Sequence, residues 1–84
     1  MLPFDADLVV IEPSKHFRNT KMRKWDWDMH DLRDAIREYT RLVRHGKTKL
    51  ELWTNKGGSR KLVMAYYANE ETVLVITGTE GRSR

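Results

Sequence analysis

Residues 59–77 read Ser-Arg-Lys-Leu-Val-Met-Ala-Tyr-Tyr-Ala-Asn-Glu-Glu-Thr-Val-Leu-Val-Ile-Thr. Two runs rich in Val, Ile, Leu and Tyr flank a polar stretch at Ala68, Asn69, Glu70 and Glu71, the pattern of two strands joined by a short connection. Upstream, Leu50, Glu51, Leu52 and Trp53 are separated from them by Asn55-Lys56-Gly57-Gly58, a second turn signal. The chain therefore closes in a three-stranded antiparallel meander. Because this meander follows two helical patterns, the fold class expected is α+β.

Working backwards, Gly46 stands just past a pattern in which Met29, Leu32, Ile36, Tyr39 and Val43 recur at helical spacing. Asp28 is placed to cap it, and Asp31 and Asp34 precede Arg37, Arg41 and Arg44 in the order the helix dipole favours. The spacing predicts one long helix up to Gly46. A shorter helix is expected from the N-cap Ser14 to about Lys24, although Phe17 and Met22 make no clean stripe on a 3.6-residue wheel. Leu8-Val9-Val10-Ile11, ended by Pro13, reads as a short N-terminal strand.

The 84 residues are read as one domain with a core over about 8–77 and a flexible basic tail at 78–84. No cysteine is present, which excludes disulfides and thiolate metal sites and makes a reducing cytoplasm the simplest setting. The run at Leu8–Ile11 is too short for a signal-peptide core, and no apolar run reaches membrane-spanning length. Sixteen Lys and Arg against twelve Asp and Glu leave a net charge of +4, and the pI near 9.6 favours polyanionic partners such as RNA. With a third of the residues charged in both signs, an ordinary solvated surface accounts for much of that surplus.

Alternation along the strands assigns faces. Leu50, Leu52, Leu62, Met64, Leu74 and Ile76 form the larger apolar set and are expected under the long helix. Lys49, Glu51, Trp53, Lys61, Val63, Ala65, Tyr67, Val73, Val75 and Thr77 fall on the opposite face, a mixture too apolar for a plain solvated surface, so this face is expected to bind or be covered.

The order strand, Ser14-Lys15-His16, a basic helix containing Met22, the segment Trp27-Asp28-Met29-His30-Asp31-Leu32-Arg33-Asp34-Ala35-Ile36, then Gly58–Tyr67 and Thr72–Thr77, resembles a family of small domains of unknown function related to the RelE and BrnT toxins. The resemblance spans about Val10 to Thr77, and its motifs are largely structural. It implies a RelE-like α+β fold with the helices packed on one face of an antiparallel sheet, RNA cleavage, often of messenger on the ribosome, and a neighbouring antitoxin as partner. The family pattern has an Arg-Met pair four and five residues after the His, where this chain has Thr20 and Lys21.

Metal-free RNA cleavage needs a base for the ribose 2′-hydroxyl, cations for the charge developing on phosphorus, and an acid for the leaving 5′-oxygen. His16, Tyr67 and Glu51 are the candidate proton-transfer groups, with Lys61 as a candidate catalytic cation. Arg18, Lys21, Arg23, Lys24, Lys49, Trp53, Arg60 and Arg82 are candidate RNA-binding residues, because cations hold phosphates while rings stack bases. Each has a duller counterpart: His16 as a capping or packing residue, Lys49 and Glu51 as ion-pairing residues at the sheet edge, Trp53 and Tyr67 as strand packing. Trp25 and Trp27 are read as core plugs. Arg33, Arg37, Arg41 and Arg44 are read as a salt-bridged helix face with Asp34 and Glu38. His30 and His45 lie near the ends of the long helix without metal-ligand spacing, so neither a metal nor another cofactor is expected. The readings left open are an endoribonuclease, a non-catalytic RNA-binding or protein-interaction module, and a scaffold that has lost its chemistry. A second copy of the chain is an equally suitable partner for an open sheet face or edge.

Overall fold

The computed structural model describes residues 1–80 and shows an α+β fold built on one five-stranded sheet. Strand β1 is Val10–Pro13. Helix α1 occupies 15–25 as continuous helical backbone, an α-helical turn Lys15–Phe17, a π-helical turn Arg18–Met22 and a further α-helical turn Arg23–Trp25. Helix α2 is Met29–Arg37, followed by β2 Arg41–His45, β3 Lys49–Thr54, β4 Arg60–Tyr67 and β5 Thr72–Thr79. The sheet order is β1-β5-β4-β3-β2; β1 runs parallel to β5 and every other pairing is antiparallel. The meander expected at the C-terminus is therefore the centre of a wider, mixed sheet.

The π-helical turn accounts for a spacing that a 3.6-residue period does not fit. Phe17 and Met22, five residues apart, are both buried, and turns closed by i→i+5 bonds bring such a pair onto one side. The Trp27 amide completes the segment by donating to the Met22 carbonyl at 2.9 Å. Ser14 caps α1 as its sequence suggests, its hydroxyl accepting from the Phe17 amide at 3.0 Å. Asp28 caps α2 in a reciprocal box: its carboxylate accepts from the Asp31 amide, and the Asp31 carboxylate accepts from the Asp28 amide.

The long helix up to Gly46 is corrected. Helix α2 stops at Arg37, and 41–45 form an edge strand. Val43 fits the helical stripe, but as strand residues Leu42 and Val43 go to opposite faces, Leu42 across from buried Leu52 and Val43 across from Glu51, and β-branched Thr40 precedes the strand, donating its amide to the Trp53 carbonyl at 2.7 Å. Gly46, with φ of 73°, serves the β2–β3 turn rather than a helix end. The supposed row of arginines is divided as a result. Arg33 donates to the carbonyls of Ala6 and Val9 at 2.7 and 3.0 Å, and Arg37 pairs with Asp7 and Asp34. These contacts hold the N-terminal segment, whose Ala6 and Val9 join the core. Arg41 and Arg44 belong to β2.

The core lies between the helices and one face of the sheet: Phe17, Met22, Leu32, Ala35 and Ile36 meet Leu50, Leu52, Leu62, Met64, Val73 and Val75. Each fully buried Leu or Ile contributes about 1.5–3 kcal/mol. The phase expected for β5 is corrected here, because Val73 and Val75, not Leu74 and Ile76, face the helices. A bulge is the cause: Val63 pairs with Thr77 but Met64 pairs with Val75, leaving Ile76 as an extra residue, and an inserted residue reverses a strand's inward and outward positions. Beyond the bulge Gly78 returns to the core opposite Leu62, so the sheet continues past the expected end of the core at 77.

A β-carbon at Gly78 would lie 2.8 Å from Phe17 Cε1 and 3.0 Å from the Trp25 ring. Gly78→Ala is therefore expected to destabilise the protein by about 1–3 kcal/mol in urea denaturation, as overpacked core substitutions do, and an unchanged midpoint would show that α1 is not seated against β5 this closely.

Candidate functional site

Both helices and the N-terminal segment lie on one side of the sheet, and no described residue packs over the other side. Its central row, Val43, Glu51, Val63 and Thr77, is half-buried. Exposed Val10 and Ile76 add apolar surface, and Tyr67 stands at one end with 42% of its surface accessible.

The registers place the chemistry of this face. Trp53 of β3 is opposite Arg41 of β2 on one side and Lys61 of β4 on the other. Both cations lie over the indole, Arg41 Cζ at 5.0 Å and Lys61 Nζ at 5.4 Å from the ring centroid. Two residues along β3, Glu51 is clamped between cross-strand neighbours: His45 Nε2 lies 3.2 Å from Oε1, and Lys61 Nζ lies 3.2 Å from Oε2. The contact with His45, and then that with Lys61, hold the Glu51 carboxyl below its usual range. Lys49 pairs with His45 across β2 and β3 and is exposed. A connected group thus runs Arg41, Trp53, Lys61, Glu51, His45 over three adjacent strands.

Of the residues singled out in the sequence, Lys49, Glu51, Trp53 and Lys61 share this face. Tyr67 shares it too, but six residues along β4 from Lys61, about 20 Å at strand rise. His16 is exposed on α1, in the helical layer, where its carbonyl accepts from the Thr20 hydroxyl at 2.6 Å. Arg18, Lys21, Arg23 and Lys24 lie on the same helix. Lys24 is paired with Glu80 at 3.1 Å, a contact that keeps the Glu80 carboxyl below its usual range. Arg60 also faces this layer, stacked 4.7 Å from the Trp25 ring centroid, with its guanidinium donating to the carbonyls of Ser59 and Gly57. Trp27 is buried and Trp25 partly so, the plugging role their spacing suggested. Arg82 lies outside the described residues.

Two members of the group, Arg41 and His45, were not read as site residues because 41–45 was read as helix. The signal was available in the alternation: once Gly46 is taken as a hairpin turn, Arg41, Val43 and His45 are in phase with Lys49, Glu51 and Trp53. Among the described residues, no three His, Asp or Glu side chains gather closely enough to hold a metal ion. Neither a protein-family model, nor a curated protein, nor a solved structure matches the chain.

A carboxyl held below its ordinary value near 4.5 stabilises the fold above that pH and loses its contribution as pH falls through the folded-state value. Glu51→Gln is expected to flatten the loss of stability on acidification below pH 4.5, measured by urea denaturation at several pH values. A decline as steep as that of the unsubstituted protein would show that His45 and Lys61 do not hold Glu51.

Proposed function

We propose that the open sheet face binds single-stranded RNA, and that His45, Glu51 and Lys61 cleave it without a metal ion. The observation carrying this reading is the contact chain Arg41–Trp53–Lys61–Glu51–His45, which combines a stacking ring, two cations and a carboxylate–imidazole pair on an uncovered surface. Cations beside a half-exposed ring suit a phosphate chain with unstacked bases.

The roles follow from the contacts. Glu51 engages Nε2 of His45, which places the neutral ring's proton there and leaves Nδ1 as the acceptor. His45 is then the base that removes the ribose 2′-hydroxyl proton, while Glu51 orients the ring and stabilises its charged form. The 2′-oxygen attacks phosphorus, the bond to the 5′-oxygen breaks, and a 2′,3′-cyclic phosphate forms. Lys61, with one contact to Glu51 and two further protons, faces the charge developing on the phosphate oxygens, assisted by Arg41. Lys49 is the ammonium group across from His45 that can protonate the leaving oxygen.

The order strand, two helices, then antiparallel strands with both helices on one face supports the RelE-type relationship. With that relationship come the ribosome as the setting, an antitoxin as the natural inhibitor and the cytoplasm as the compartment. One observation favours the non-catalytic reading: both oxygens of Glu51 are already engaged by cations, as in an ion-pair network whose task is to order a binding face.

The test is incubation of the purified protein with labelled single-stranded RNA, and separately with translating ribosomes, in the presence of a chelator. Fragments ending in 2′,3′-cyclic phosphate are expected, reduced about 100-fold or more in His45→Ala and in Lys61→Ala. Trp53→Ala is expected to weaken RNA binding about tenfold. Salt-dependent binding without fragments would sustain only the binding module, and fragments unaffected by either substitution would remove the chemistry from this face.

A further inference from the structure

The end of the sheet away from Trp53 holds a feature that the cleavage group does not use. The β2–β3 turn at 46–48 and the β4–β5 connection at 68–71 lie side by side, tied by the Tyr66 amide donating to the Thr48 carbonyl at 2.8 Å. Between them is a cleft of about 320 Å³, within the range of small-ligand sites. Arg44 and Lys47 line one wall, and neither has a carboxylate partner among the described residues. Thr48 joins them from the same turn, and Tyr66, Tyr67 and Asn69 come from β4 and the connection after it. Glu70 is the carboxylate in the lining, against two cations.

A half-exposed aromatic ring sharing a cleft with two cations that outnumber its one carboxylate, with an amide and a hydroxyl nearby, matches the chemistry of a nucleotide. The phosphate is met by Arg44 and Lys47, the base lies on Tyr67, and its polar edge reaches Asn69 and Thr48. Tyr67 reaches the cleft from the open face, whereas Arg44, paired with inward Leu50, and Tyr66, paired with inward Val73, reach it from the helix-covered side, so the cleft lies at the end of the sheet where the two faces meet.

We propose that this cleft is a nucleotide-binding subsite, filled by a residue of the RNA lying away from the bond that is cleaved. Its place along the strand rests on the open face being the RNA-binding surface; its nucleotide chemistry stands on the cleft alone. The path between the two rings follows β4 over about 20 Å, so a strand held at both ends must be several nucleotides long. A short oligonucleotide occupies one end only.

The experiment is nuclear magnetic resonance titration of the ¹⁵N-labelled protein with adenosine 5′-monophosphate, inorganic phosphate, a diribonucleotide and an octaribonucleotide. The mononucleotide is expected to move the amides of Lys47, Thr48 and Asn69. Tyr67→Ala is expected to weaken it about tenfold, Arg44→Glu with Lys47→Glu to abolish the shifts, and Lys61→Ala to leave them unchanged, with amide dispersion reporting that each variant is folded. The octanucleotide, but not the dinucleotide, should move both the cleft and the Lys61–Trp53 end in one binding event. Phosphate moving the cleft amides as well as the mononucleotide does, with Tyr67→Ala without effect, overturns the nucleotide assignment. RNA cleaved or bound at the open face with the cleft unmoved by any probe overturns the subsite and leaves the proposed function standing. Mononucleotide binding in the cleft, with no RNA bound or cleaved at the open face, overturns the proposed function instead.

Discussion

A single sheet has two faces, and the helices of this protein cover one. The core holds the inward residues of β3, β4 and β5 under Phe17, Met22, Leu32, Ala35 and Ile36, and that apolar burial is the main force holding the layers together. Everything distinctive about the other face follows. Its residues are fixed in place by the pairing of strands whose inward neighbours are locked in the core, so charged side chains are held in register without being buried themselves. Glu51 sits between His45 and Lys61 because Leu50 and Leu52, on either side of it in β3, are anchored beneath the helices. Rigid backbone under solvent-accessible chemistry is the arrangement a binding or catalytic face requires.

The register is enforced at both ends of the meander. At β5 a bulge at Ile76 lets Val73 and Val75 face the core before it and Gly78 after it. Gly78 in turn makes room for Phe17 and Trp25, whose rings meet edge to face at a centroid distance of 6.0 Å. The seating of α1, the phase of β5 and the outward set on β4 are therefore one coupled packing problem. At the other edge, β2 extends the sheet by one strand and brings Arg41 and His45 onto the open face. Arg33 and Arg37, left behind on α2, hold the N-terminal segment through the carbonyls of Ala6 and Val9 and the carboxylate of Asp7.

The basic surplus divides into two sets with different surroundings. On α1 and the adjoining end of β5, Lys24 is answered by Glu80, with Lys21 and Arg60 near enough to add to the field at that carboxylate. On the open face, Arg41 and Lys61 flank an indole, and at the far end of the sheet Arg44 and Lys47 line a cleft with Tyr67. Net charge alone does not separate an interface from a solvated face; the contacts of each cation have to be read one by one.

Much of this was legible in the sequence. The meander, the caps at Ser14 and Asp28, the inward set Leu50, Leu52, Leu62 and Met64, and the shared face of Lys49, Glu51, Trp53 and Lys61 all follow from local propensity and a period of two, which act within a few neighbouring residues. The end of α2 did not follow, because Val43 extends the helical stripe while Leu42 and Val43 also suit a strand with one residue on each face, and the choice was made by pairing with β3. The inward set of β5 did not follow either, since a bulge depends on what the partner strand and helix demand, here space for Phe17 and Trp25 at Gly78. The sequence by itself determined which residue types alternate and where helices start; only the tertiary structure decided that His45 and Arg41 join Glu51, Trp53 and Lys61. Cross-strand register is settled by contacts between segments distant along the chain, so a site assembled across strands exists only once the sheet has formed.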